Sequence, residues 1–293
     1  MELEVNGVRL YYERFGDPAD QSVLLFHGGP GLSDHRAGAE TYRPLVEDGF
    51  HLVAYDHRGC GASGRSPPYT NAQFADDAEA LRRALDLGPV AVVGGSYGGF
   101  VAQEYAVRHG EHLDAMVLRG TAARSDHRDE AREIAAARIP AVRAADLDTP
   151  PISEDAFARE MDGRLRSDAD FRRTFHSITP LYAPSLEAFD AAAARERIDR
   201  LTFNHEVHNA VFSEEHPTID YTDDLPGVAV PTLVAVGADD WIAPPEYARE
   251  IATLLPDAEL AVFEDAGHSP ARDRPEAYLA RVRAFLRGVC QSE

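Results

Sequence analysis

Four short motifs in this 293-residue chain carry side chains that could do chemistry together: His27-Gly28-Gly29-Pro30-Gly31, Gly94-Gly95-Ser96-Tyr97-Gly98-Gly99, Gly237-Ala238-Asp239-Asp240 and Gly267-His268. A serine hydroxyl becomes an effective nucleophile only beside a general base. A histidine base needs a carboxylate to hold it in one tautomer. Ser96 lies between paired glycines, after the apolar run 90–93 and before a stretch of helical periodicity at 100–107. Strand, sharp turn and helix in that order make a nucleophile elbow, in which small neighbours let the turn tighten and the helix pack against the strand.

With an elbow of this kind the chain order is nucleophile, acid, histidine, so the base is sought after position 96. His268 follows the apolar run 260–263, and Gly267 lets its loop turn inward. Asp239 and Asp240 compete for the acid, both directly after the run 232–236. Two backbone N–H groups must also converge on the oxyanion that forms during acyl transfer. Tyr97, next to the nucleophile, offers one. Gly29 offers the other, because the nitrogen of Pro30 cannot donate. The segment from Asp56 to Ser63 also follows an apolar run, and Asp56 and Arg58 are expected to brace loops near the elbow.

The elements that must position these residues are legible in the patterning. Asn6-Gly7 separates two alternating stretches, 2–5 and 8–15, a strong hairpin signal. Apolar runs at 23–26, 52–55, 90–93, 116–118, 232–236 and 260–263 predict strands covered on both faces, as in a mostly parallel sheet. Helical periodicity falls at 74–87, 100–108, 247–255 and 276–286, with Pro275 at a first-turn position. From 122 to 225 the strand signal stops, and prolines at 140, 150, 151, 180 and 184 are expected to cut the region into short helices. The expected organisation is an α/β core from 1–121 and 226–293, its sheet flanked by helices, with an inserted helical cap at 122–225.

Composition bounds the partners. The formal charge is −21, and all 29 basic residues are Arg. That field repels nucleic acid and anionic membrane, so neither is expected to bind. No apolar stretch reaches the roughly 18 residues of a membrane span, and the N-terminus lacks a signal-peptide pattern, so a cytoplasmic protein is expected. Cys60 and Cys290 are expected to be reduced thiols. No His, Asp and Glu grouping has ligand spacing on one element, so no metal or other cofactor is expected; oligomeric state is not legible.

Taken together, the motifs resemble the proline iminopeptidases, a family of α/β-hydrolases, along the whole chain. The resemblance rests on His-Gly-Gly-Pro-Gly at 27–31, Asp-x-Arg-Gly-x-Gly-x-Ser at 56–63, Gly-Gly-Ser-Tyr-Gly-Gly at 94–99, Gly-x-x-Asp at 237–240 and Gly-His at 267–268. It implies a metal-free serine exopeptidase acting on a short peptide or aminoacylated small molecule, and through the spacing Gly-x-x-Asp-x-x-x-Pro it selects Asp240 as the acid. Family members that grip a free amino terminus are expected to use glutamates, one in the cap and in some members one just after the catalytic Asp. Trp241 stands at the second position. Glu206, in the segment from Asn204 to Asn209, is the cap candidate, with Glu160 and Glu214 among the alternatives. The expected activity is release of an N-terminal proline or small residue. An ester or lactone hydrolase on the same triad is the second reading, and a catalytically silent binding protein the third.

Overall fold

The structure, a computed structural model, describes residues 1–290. Strands β1 (Glu2–Val5) and β2 (Val8–Phe15) form the expected hairpin. Asn6 and Gly7 both adopt positive φ, the backbone that matches a two-residue turn to the twist of its strands. Strand β3 (Gln21–Phe26) leads through helix α1 (His35–Tyr42) to β4 (Phe50–Tyr55), and helix α2 (Asn71–Ala84) leads on to β5 (Val90–Gly95). Helix α3 (Tyr97–His109) and β6 (Leu113–Arg119) complete the first half. Five helices follow with no strand among them: α4 (His127–Ala144), α5 (Glu154–Met161), α6 (Asp168–Ile178), α7 (Ala191–Arg200) and α8 (His205–Phe212). The chain then returns as β7 (Thr232–Gly237), α9 (Pro245–Leu254), β8 (Ala258–Phe263), α10 (Pro270–Asp273) and α11 (Pro275–Cys290).

The eight strands form one sheet in the order β1-β2-β4-β3-β5-β6-β7-β8, parallel from β4 to β8 and antiparallel at the hairpin end. Strands β4, β5 and β7 are buried throughout, as continuous apolar runs predict. One face packs on α2, α3 and α9 through residues such as Phe74, Val101 and Ile251. The other packs on α1 and α11 through Tyr42, Tyr278 and Phe285. Strand β8 departs from expectation, because it closes an edge and leaves Leu260 exposed.

A third apolar cluster lies among the five strandless helices, built on Ile139, Phe157, Phe171 and Phe175, and it takes in Trp241 from the core. Pro140 does not end a helix there, contrary to the proline-based expectation. Helix α4 runs through it, because Ala131, Ala135, Ile139 and Val142 recur at helical spacing and are all buried. Helix α1 was not legible in the sequence, since its eight residues carry only Ala39 and Tyr42 as buried apolar groups.

Arg58 and Asp77 lock the loop after β4 to α2. Both side chains are almost wholly buried, with Nε to Oδ2 at 2.5 Å and Nη2 to Oδ1 at 2.7 Å. Removing one partner of such a pair leaves the other charge buried and unpaired. Asp77→Ala is therefore expected to lower the unfolding free energy by about 3–5 kcal/mol in urea titration. A loss under about 1 kcal/mol would show that the pair does not clamp this loop.

Candidate active site

Ser96 occupies the turn between β5 and α3 with φ 54° and ψ −123°, a strained backbone for a residue with a Cβ. The turn is held from beneath, where Ser96 N donates to Arg119 O at 2.7 Å. A side chain at Gly98 would run into the carbonyl of Phe26, so the start of α3 approaches β3 only because that position is bare. The hydroxyl lies 2.9 Å from His268 Nε2. On the other side of the ring, His268 Nδ1 lies 2.9 Å from each Asp240 carboxylate oxygen. Asp240 Oδ1 also accepts from the backbone of Ile242 and Ala243. An acceptor-only carboxylate fixes Nδ1 as the protonated nitrogen and leaves Nε2 free to accept from serine.

Three strand ends supply these three groups, and each loop is braced. Gly267 N donates to Asp273 Oδ2 at 2.9 Å, and Arg119 Nη1 donates to His268 O at 3.0 Å. Asp239, the competing acid, makes no hydrogen bond to His268 and borders a separate groove that does not reach Ser96; its N–H donates to Ala266 O, and its carbonyl accepts from Arg138.

Tyr97 opens α3, so its N–H has no acceptor within the helix and is available to a ligand. Gly29 takes a positive φ of 56° and lines the same cavity as Ser96 and Tyr97. The glycine-rich loop is secured by Asn204. Its N–H donates to Gly31 O at 2.6 Å, and its side chain donates to Gly59 O at 2.8 Å while capping α8. Asp56 adds a second brace by accepting from His35 N, His35 Nδ1 and Ala62 N, each at 2.7 Å. Asp34, His35 and Asp56 form a compact group of potential ligand atoms, but Asp34 caps α1 and pairs with Arg36. Hydrogen bonding within the protein already accounts for this group.

Two lobes of one cleft meet at Ser96. The first, about 230 Å³, runs past His27, Gly28, Arg119 and His268. The second, about 100 Å³, is walled by Tyr97, Arg128, Glu160, Tyr182, His208 and Trp241. Gly29, Leu32, Ser96 and Tyr182 border both. A larger groove of about 730 Å³ passes along Arg197 and Arg272 and does not reach Ser96.

Trp241 is buried in the wall of the second lobe, edge-on to Tyr182, whose ring also meets His268 edge-on. Glu206 is not brought to the cleft. It lies exposed in the first turn of α8, because the segment around it serves as a tether: Asn204 holds the glycine loop, His208 Nε2 donates to Glu160 O, and Asn209 bonds the backbone of Leu165. Glu214 is also exposed, beside a neighbouring cavity. Glu160 is the cap acid in the cleft. The sequence held a signal for it: Phe157 and Glu160 are three apart, which puts the acid on the buried face of α5.

The β-sheet order, the helices on both faces and the serine turn define an α/β-hydrolase. A family model for the alpha/beta hydrolase fold matches residues 21–275. The proline iminopeptidase PfmaB of Pestalotiopsis fici is 36% identical over 287 residues, covering 97% of this chain and 98% of its own. The chain therefore belongs to the α/β-hydrolase family and is similar to its proline iminopeptidases. Among solved structures, a hydrolase from Pseudomonas aeruginosa superposes with a TM-score of 0.75 at 24% identity, covering 98% and 97% of the two chains. A thermophilic esterase from Thermogutta terrifontis gives 0.68 at 29% identity, covering 98% and 97%. No helix among the described residues is long and apolar enough to cross a membrane.

Burial pushes the Glu160 carboxyl from 4.5 up to about 7, against the pull of Arg128 and Arg132. Its Oε2 is buried without a hydrogen-bond partner. The folded protein thus holds this proton more tightly than the unfolded chain does. Glu160 costs no stability below the unfolded value of 4.5, and its cost grows as pH rises to about 7, reaching at most about 3 kcal/mol. Glu160→Gln is accordingly expected to raise the melting temperature at about pH 8 and to change it little at about pH 5. An equal shift at both values would contradict the assignment.

Proposed function

We propose that the protein is a serine hydrolase that releases an N-terminal residue, proline or a small amino acid, from a short peptide or an aminoacylated small molecule. The observation that carries this reading is the chain of hydrogen bonds from Asp240 through His268 to Ser96, beside a cleft whose wall holds Glu160, with its Oε2 unpartnered. In the first step His268 Nε2 takes the Ser96 proton as the oxygen attacks the scissile carbonyl. Gly29 N–H and Tyr97 N–H receive the oxyanion. The imidazolium then protonates the leaving nitrogen, and water cleaves the acyl-enzyme by the same route in reverse. Because His268 must reach the leaving atom, the leaving group occupies the lobe that His268 lines, and the acyl group occupies the lobe of Glu160 and Trp241.

A substrate ammonium beside Glu160 would draw that carboxyl into its ionised form and gain a charge-assisted hydrogen bond. The role that the resemblance gave to Glu206 passes to Glu160. A second reading, an ester or lactone hydrolase, is favoured by Trp241, which stands where some aminopeptidase relatives are expected to carry a glutamate. A cytoplasmic location and a small-molecule or short-peptide partner belong to the proposal. The free thiols of Cys60 and Cys290 support the location.

Ser96→Ala is expected to lower kcat on the order of 10⁴- to 10⁶-fold with the fold intact. Asp240→Asn should cost on the order of 10⁴ by presenting the wrong tautomer, and Asp239→Asn far less; the reverse order would mean the acid is Asp239. Prolyl and alanyl 4-nitroanilides are expected to be cleaved about 10- to 150-fold better than their N-acetyl forms. Glu160→Gln should narrow that gap, and Glu206→Gln should leave it. Equal rates on free and blocked amines, or activity confined to simple esters, would select the second reading.

A further inference from the structure

Arg128 shares the acyl lobe with Ser96 and Glu160, and nothing in the reading above uses it. It is half-buried in the first turn of α4, with its guanidinium carbon 4.6 Å from the centre of the Phe212 ring. Among the described residues its side chain makes no hydrogen bond and no ion pair; charged neighbours act on it only through space. Those neighbours are Glu160, Asp162 and Asp129 on the acidic side and Arg132 on the basic side. Asp162 is committed to Arg132 and Arg164, and Asp129 is exposed. Glu160, whose carboxyl burial keeps largely protonated to about neutral pH, lies beyond ion-pair distance of the guanidinium.

This placement is unfavourable unless something else compensates for it. A cation in the first turn of a helix opposes the macrodipole. Burial lowers the pKa of Arg128, yet the guanidinium stays charged, and no protein acceptor meets it where it lines the lobe beside Ser96 and the neighbouring cavity beside Glu214. The ring of Phe212 lies against the guanidinium, and a guanidinium stacked on a ring can still offer its in-plane donors to a bidentate carboxylate.

We propose that Arg128 is the receptor for a carboxylate on the acyl part of the substrate, so that acyl groups of short dicarboxylic acids are preferred over neutral acyl groups of the same size. The inference rests on the hydrolase reading of Ser96 and holds for an amide or an ester substrate alike. If Glu160 also receives an ammonium, the acyl group that satisfies both contacts is aspartyl or glutamyl. The lobe of about 100 Å³ limits the chain between the two carboxyl carbons to a few methylenes.

The test uses the purified full-length protein and the monoethyl esters of malonate, succinate, glutarate and adipate. Each is compared with the ethyl ester of its monoamide, which has the same shape and no charge, and 4-nitrophenyl acetate serves as a reference. For the best chain length, the charged ester is expected to exceed its amide in kcat/KM by about tenfold or more. The matching free diacid should inhibit acetate ester hydrolysis more strongly than its monoamide by a similar factor. Arg128→Gln should bring both ratios close to one, and Arg128→Lys should retain part of them. Wild-type ratios near one, or ratios that survive in Arg128→Gln, would overturn the proposal. The wild-type ratios decide the matter even if a variant fails to fold. If no ester is cleaved, or cleavage persists in Ser96→Ala, the hydrolase reading itself fails, an outcome distinct from cleavage without charge preference.

Discussion

Everything in this molecule depends on holding one imidazole between a hydroxyl and a carboxylate that come from three separate loops. The two hydrogen-bonded links, each 2.9 Å, leave little room for error. Displacement of reacting groups by about 1 Å is enough to cost orders of magnitude in rate. A parallel sheet meets this demand because the C-terminal ends of its strands open on one edge. Strands β5, β7 and β8 deliver Ser96, Asp240 and His268 there. Arg119, at the end of β6, ties two of those loops together, with its carbonyl on Ser96 N and its guanidinium on His268 O.

The helices above the edge turn the exposed triad into a cleft. Both polar and apolar contacts attach them to the core. Asn204 links α8 to the glycine loop from Pro30 to Gly31 and to Gly59, and Tyr182 lays its ring against both His268 and Trp241. The glycine loop therefore takes its shape from the core on one side, through Asp56 and His35, and from the helical layer on the other. Arg128 on α4 and Glu160 on α5 put a guanidinium and a carboxyl into the lobe beside Ser96.

Much of this was legible in the sequence, for reasons that particular residues make plain. The runs at 23–26, 52–55 and 90–93 are apolar on both faces, and only a covered strand keeps such a pattern. Asn6-Gly7 encodes its turn in the backbone preferences of two residues. Ser96, His268 and the Asp239-Asp240 pair stand out because each follows an apolar run and sits beside glycines that permit a close backbone approach. What was not legible depends on packing between distant segments. Pro140 signals a break locally, yet the apolar stripe of α4 overrides it. Glu206 looked like the functional acid from its place in a motif, whereas the position of α8 sends it outward and brings Glu160, on a different helix, to the cleft.

The proposed nucleophilicity of Ser96 is read most directly by reaction with a fluorophosphonate followed by intact mass and peptide mapping. One adduct per chain is expected, on the peptide that contains Ser96, forming much more slowly in Asp240→Asn. An adduct mapped to another residue, or labelling of Ser96 at an unchanged rate in Asp240→Asn, would contradict the account.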